Sequence, residues 1–132
     1  MAHLFAGQSL PMNIPLRSPN GAYFLVLQVD GNLVGYTSCD FRKENAFWAS
    51  NTAGKGAAPF RLDMQMDGNL VVYDRDSKPT WSSHTHGNKD SGQRDYLIIQ
   101  DDRNVVVYRG ADNNVRWASN TEFATHSIEL RF

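Results

Sequence analysis

The sequence predicts an all-β fold of three small antiparallel sheets around a pseudo-threefold axis. Three observations carry this expectation. A nine-residue motif occurs three times, as Gln28-Val-Asp-Gly-Asn-Leu-Val-Gly-Tyr36, Gln65-Met-Asp-Gly-Asn-Leu-Val-Val-Tyr73 and Gln100-Asp-Asp-Arg-Asn-Val-Val-Val-Tyr108, with starts 37 and 35 residues apart. Each copy is followed, 8 to 12 residues after its tyrosine, by a tryptophan segment: Trp48-Ala-Ser-Asn-Thr52, Trp81-Ser-Ser-His-Thr85 and Trp117-Ala-Ser-Asn-Thr121. No window sustains helical periodicity. A fixed period of this size means one supersecondary unit used repeatedly.

The first unit covers about residues 22–52. Its run Tyr23 to Gln28 is β-rich, Asp30-Gly31 signals a turn, and a second strand follows from Asn32 to Tyr36. The second unit (60–85) runs from Phe60 to Gln65, turns at Asp67-Gly68 and resumes at Asn69. The third (94–121) runs from Tyr96 to Gln100, turns at Asp102-Arg103 and resumes at Asn104. Arg103 stands where the other copies have glycine, so that turn is expected to be strained or of another type. A strand around each tryptophan completes its unit, and Trp48, Trp81 and Trp117 are expected to meet, buried, at the common centre, where large aromatic area stabilises most. The tail Ser127-Ile-Glu-Leu-Arg-Phe132 alternates polar and apolar residues and reads as a half-buried strand that completes a sheet of its own chain or of a second one.

Composition narrows the function. At 132 residues the chain fits one domain, 1–132, and can bury a core without disulfides or a metal. Thirteen basic against fourteen acidic residues argue against a nucleic-acid partner or a polybasic membrane surface. Apolar stretches such as Tyr23 to Leu27 are too short to cross a bilayer. The single Cys39 allows no internal disulfide, and MAHLFAGQSL has no basic n-region or apolar h-region. The expectation is a cytoplasmic or non-classically secreted protein.

The repeated motif carries the chemistry. Alternate residues of a strand share a face, so Asn32, Val34 and Tyr36 point one way and Leu33 and Gly35 the other. Gln28, ending the preceding strand, and Asp30, in the turn, can join the first face. An amide, a carboxylate, a second amide, an aliphatic patch and a phenol then stand together. That mixture suits the vicinal hydroxyls of a neutral monosaccharide, whereas a phosphate would need cations or a glycine-rich helix start. The same set is Gln65, Asp67, Asn69, Val71 and Tyr73 in the second unit, and Gln100, Asp102, Asn104, Val106 and Tyr108 in the third. Such side chains beside hairpin turns also cap their own backbone. Turn chemistry, however, needs no glutamine before the aspartate and no tyrosine after it, and all three copies keep both.

The motif Q-x-D-x-N-x-V-x-Y, repeated three times with Trp-Ala-Ser-Asn-Thr-like segments, resembles the bulb-type mannose-specific lectins, over about His3 to Thr121. The resemblance implies the β-prism II fold, three mannose sites, no cofactor and no enzymatic activity. It also implies that Asp and Asn bind the axial O2 of mannose, Gln bonds O3, Tyr bonds O4 and Val packs on the ring carbons. A dimer formed by exchange of the C-terminal strand is implied too. No metal takes part in that family, and one carboxylate per site is too few for calcium. Secreted plant members carry a disulfide whose cysteines align with Gly31 and near Phe60, neither of which is cysteine. The connector Thr37 to Asn45 is longer than its counterparts and is expected to modify the rim of the first site. Gly35, where the other copies have Val72 and Val107, suggests looser packing behind that site.

Other readings weigh less. His84-x-His86 is a metal pair without a third ligand. Gly54-Lys55-Gly56 lies in a connector and not between a strand and a helix. Asp101-Asp102 would point to opposite sides, against a pair of acid–base carboxylates. The alternative to a lectin is an interaction or scaffold domain with silent sugar sites, and a glycosidase is a distant third.

Overall fold

The computed structural model describes residues 1–87 and 94–122; the tail strand expected at 127–132 lies outside the described residues. Twelve strands follow one another: β1 (His3–Phe5), β2 (Ser9–Pro11), β3 (Leu16–Arg17), β4 (Phe24–Leu27), β5 (Leu33–Tyr36), β6 (Ala46–Ala49), β7 (Arg61–Met64), β8 (Leu70–Tyr73), β9 (Pro79–Ser82), β10 (Tyr96–Ile99), β11 (Val105–Tyr108) and β12 (Val115–Ala118). One 3-10 turn, Lys43–Asn45, precedes β6. The strands form three four-stranded antiparallel sheets, β3-β4-β5-β6, β2-β7-β8-β9 and β1-β10-β11-β12. Each repeat thus supplies three consecutive strands, as its pattern predicts.

The fourth strand of each sheet comes from the N-terminal segment, which the repeat does not announce. That segment visits the sheets in reverse order: β1 pairs with β10, β2 with β7 and β3 with β4. Each short strand buries one leucine, Leu4, Leu10 or Leu16, so the leucines recur every six residues. Each such burial stabilises by about 1.5–3 kcal/mol, and the strand covers a sheet edge that would otherwise be unpaired. Among the described residues each of the three sheets therefore has four strands.

Alternation sorts the side chains as expected. Leu25, Leu27 and Leu33 face inward with Leu62, Met64, Leu70, Val72, Leu97, Ile99, Val105 and Val107 in one core. Val26, Val34 and Tyr36 form a separate outward-facing cluster against Phe24 and Ala49. The three tryptophans do meet at the centre, in edge-to-face pairs with centroids 5.4–5.7 Å apart and interplanar angles of 69–77°. They are half-buried, not fully buried as expected, because they cap one end of the core.

Every tryptophan strand carries a bulge at the same place. Gly35 pairs with Trp48 but Tyr36 pairs with Ala46, which leaves Phe47 as the extra residue. Thr80 and Arg116 hold the same position in the other sheets. This corrects the expectation of loose packing at Gly35. The Phe47 ring lies over the glycine, and a Cβ there would come within 2.5 Å of it. A small residue and a large one have exchanged sides, so the volume is kept.

Phe60, 4% exposed, packs its ring on Gly31, where an added Cβ would come within 2.8 Å. An aromatic contact thus fills the place at which the resemblance implies a disulfide. Cys39 is free and exposed. Among the described residues no helix is long and apolar enough to cross a membrane.

Candidate functional site

Each site is built on the hairpin joining the first two strands of a repeat. In the first, Gly31 N–H donates to Gln28 O, and Gln28 N–H to Asn32 O, both at 2.9 Å, closing a three-residue loop. The last loop residue is left-handed in every copy: Gly31 at φ 90°, Gly68 at φ 90° and Arg103 at φ 75°. Arg103 therefore makes the same turn as its glycine counterparts and carries the strain of an L-residue in that conformation.

The turn aspartate has a structural task and keeps chemistry in reserve. Asp30 Oδ1 accepts Asn32 N–H at 2.9 Å, Asp67 Oδ1 accepts Asn69 N–H at 3.0 Å, and Asp102 Oδ1 accepts Asn104 N–H at 2.9 Å. Only one carboxylate oxygen caps the backbone; Oδ2 accepts no hydrogen bond from the described residues and can take one from a ligand. Capping and binding are therefore compatible uses of one side chain.

The asparagine is held by residues that sequence reasoning did not assign to the site. Ser50 Oγ donates to Asn32 Oδ1 at 3.1 Å, and Thr52 N–H donates to the same oxygen at 3.2 Å. Ser50 Oγ also accepts Leu33 N–H at 3.0 Å, and Thr52 Oγ1 donates to the Gly31 carbonyl at 2.9 Å. Ser83 and Thr85 do this for Asn69, and Ser119 and Thr121 for Asn104. The residue between them, Asn51, His84 or Asn120, is left-handed at φ 57–60°, a conformation that Asn and His tolerate better than most. That is the place of His84. The signal was present in the sequence, since Ser-x-Thr stands two residues after each tryptophan.

A backbone N–H can only donate, so the atom facing Thr52 is the amide oxygen, and the Asn32 NH₂ is the end left for a ligand. Gln28 Nε2 donates to Tyr36 Oη, as do Gln65 to Tyr73 and Gln100 to Tyr108. The phenol proton is not used in that bond; Tyr36 is 4% exposed under the stacked Phe41, whereas Tyr73 and Tyr108 are half-buried. Burial pushes the Tyr36 phenol above its usual pKa and the nearby Asp30 charge adds to this, while the Gln28 hydrogen bond works the other way. Tyr36 thus stays a neutral donor well past pH 7. Val34, Val71 and Val106 lie beneath, at most 3% exposed. In the first copy Gln28, Asn32, Val34 and Tyr36 line one depression, and Asp30 lines the adjoining one together with Gln28.

Asp101 turns away, as expected: its Oδ1 accepts Asn20 N–H at 2.7 Å. The connector Thr37 to Asn45 does modify the first site. Phe41 stacks on Tyr36 with centroids 5.0 Å apart at 26° and meets Phe24 edge-on at 5.9 Å. In the second site the place of Phe24, paired with the tyrosine across the strands, belongs to Arg61, whose guanidinium lies 4.7 Å from the Tyr73 ring centre. In the third it belongs to Tyr96, 5.5 Å from Tyr108.

No protein-family model matches the chain. It is 42% identical over 88 residues to a mannose-specific lectin of Aloe arborescens, a match covering 66% of this chain and 72% of that relative. Other curated relatives are longer, and the chain spans between 33% and 36% of their length. The structure of a monomeric monocot mannose-binding lectin from Gastrodia elata superposes with a TM-score of 0.78 and 43% identity, over 92% of this chain and 99% of that one. The mannose-specific agglutinin of snowdrop (Galanthus nivalis) bulbs, complexed with methyl-α-D-mannoside, superposes with a TM-score of 0.70 and 35% identity, over 94% of this chain and 100% of that one. The chain belongs to the bulb-type family of monocot mannose-binding lectins, and its fold is the β-prism II.

Proposed function

We propose that the chain is a single lectin domain that recognises mannose-containing glycans at three sites and performs no chemistry on them. The observation that carries this reading is the threefold recurrence of one donor–acceptor set: Asp Oδ2, Asn NH₂, Gln Oε1 and Tyr O–H above a buried valine. The snowdrop relative is solved with a mannoside, which supports mannose as the hexose. A neighbouring hydroxyl pair meeting Asp and Asn needs one acceptor and one donor, and each site offers both. One aspartate per site suits recognition better than hydrolysis, which takes two carboxylates. The single Cys39 suits a reducing compartment. Calorimetric titration with methyl α-mannoside, with glucose as the epimeric control, tests the reading. Binding of mannoside on the order of millimolar and much weaker binding of glucose is the expected result; equal binding of both, or of neither, refutes it.

For assembly we propose a homodimer joined through the C-terminal strand. The alternation of Ile128, Leu130 and Phe132 supports it, and six weak sites on one particle gain avidity that single sites lack. A specific observation favours the monomer instead: each sheet already has four strands, and the Gastrodia relative is monomeric. Light scattering on the full chain and on a chain ending at Ala124 separates the two. A dimer that becomes a monomer on truncation supports exchange, and a full-length monomer at micromolar concentration refutes it.

A further inference from the structure

The three sites share their binding set but not their flanks. Beside the first site, two depressions of about 420 and 480 Å³ share Gln28 and Phe41. The larger holds Asn32, Val34 and Tyr36 and continues to Lys43 and Asn51. The smaller runs past Asp30 to Val26, Val29 and Asn13. Phe41, 38% exposed, forms a wall of both. It is held there by Tyr36 and Phe24 beneath it, so a ligand gains its surface without ordering a loose side chain. The depression beside the second site has another chemistry. Ser9, Asp63 and Met66 line it, and the Asp63 carboxylate is engaged by Ser9 Oγ at 2.6 Å and Arg61 Nε at 3.0 Å.

We propose that the first site is an oligosaccharide site with a second subsite, in which the sugar linked to the mannose lays its apolar face against Phe41 and Val29. Both volumes fall within the range of roughly 300–1,000 Å³ usual for small-molecule sites. The two depressions adjoin, sharing Gln28, a residue of the mannose set, and Phe41 as lining, so two linked sugars can occupy them side by side. An apolar wall with an amide at its far end, Asn13, fits a pyranose, which has C–H faces and hydroxyl edges. At the second site Met66 stands in the place of Val29, but Asp63 with its Arg61 ion pair replaces Val26 and no aromatic side chain lines the depression, so the same second sugar gains no aromatic contact there. Selectivity for longer glycans thus resides in the Thr37 to Asn45 connector of the first repeat.

This inference rests on the assignment of the three motif sets as mannose sites. Its test uses the full chain with only one site left intact. Asp67→Ala with Asp102→Ala leaves the first site; Asp30→Ala with Asp102→Ala leaves the second. Both chains are titrated with methyl α-mannoside and with the linkage isomers of mannobiose, and the disaccharide-to-monosaccharide affinity ratio is compared. We expect at least one isomer whose ratio is roughly fivefold higher at the first site, the yield of one aromatic contact worth about 1 kcal/mol. Phe41→Ala in the first chain should bring that ratio down to the value at the second site, and Phe41→Trp should keep it high. Equal ratios in the two chains, or a ratio indifferent to Phe41→Ala, overturn the subsite while leaving the mannose assignment intact. Failure of both chains to take methyl α-mannoside overturns the assignment, and the subsite with it.

Discussion

Ser50 Oγ donates to Asn32 Oδ1 at 3.1 Å, and the same bond joins Ser83 to Asn69 and Ser119 to Asn104 at 3.1 Å. The tryptophan segment thereby does two things. Its tryptophan packs at the axis, and its serine and threonine fix which end of the asparagine amide faces outward. Ser83→Ala should cost about 1 kcal/mol of stability and weaken mannoside binding at the second site alone. Calorimetry on a chain with only that site intact checks this. Because Ser83 acts through Asn69, Ser83→Thr should restore part of the affinity; unchanged binding in Ser83→Ala would remove the serine from the site's support.

The central tryptophans should behave as a unit. Trp117→Ala removes two edge-to-face pairs and should cost about 3–5 kcal/mol in chemical denaturation. Half-burial predicts partial quenching of native fluorescence by acrylamide. Complete quenching, or a loss below 1 kcal/mol, would contradict the cluster at the axis.

Arg116 and Asp95 form a buried pair at 2.5 Å, with side chains 6% and 1% exposed. Gly110 N–H donates to the other Asp95 oxygen at 3.0 Å. The pair packs against Gly68, where an added Cβ would come within 3.2 Å of Asp95 Oδ2, so it ties the third sheet to the turn of the second site. Arg116→Met strands a buried carboxylate and should cost about 3–5 kcal/mol, whereas changing both partners to apolar residues should cost much less. Equal losses from the single and the double change would contradict this.

Much of the fold was readable because one pattern appears three times. Two strands per repeat, the turn and the five-residue face follow from alternation, and the repetition distinguishes a binding set from ordinary turn caps. The three N-terminal strands were not readable in that way. Each is two or three residues long, too short for a period of two to register, and only the spacing of Leu4, Leu10 and Leu16 betrays them. The Ser-x-Thr support was visible as a motif, but its use depends on the β6 end folding back beside Asn32, a relationship that exists only in three dimensions. The exchange of volume between Gly35 and Phe47 is of the same kind: the two residues are twelve apart in sequence and meet across the bulge.

Acid should unfold the chain partly through Asp74. Lys78 N–H and Asp76 N–H each donate to its Oδ1 at 2.9 Å. The Lys78 backbone bond chiefly, and the Asp76 bond with it, lower its pKa below the usual carboxylate value. A lowered pKa stabilises the fold above the unfolded value of about 3.9, and this contribution is lost as pH falls through the lower folded value. Denaturant midpoints measured from neutral pH downward should fall less steeply below pH ~4 in Asp74→Asn than in the parent. Parallel curves would exclude Asp74 from the acid response.

The most direct measurement is calorimetric binding of methyl α-mannoside to the parent chain and to the combined variant Asp30→Ala, Asp67→Ala, Asp102→Ala. Each change removes charge-assisted hydrogen bonds worth roughly 1.5–3 kcal/mol at its site and a turn cap, so circular dichroism first establishes that the variant is folded. The prediction is millimolar binding by the parent and binding at least tenfold weaker, or undetectable, in the variant. A folded variant that binds the mannoside as tightly as the parent would contradict the assignment of these three hairpins as the mannose sites.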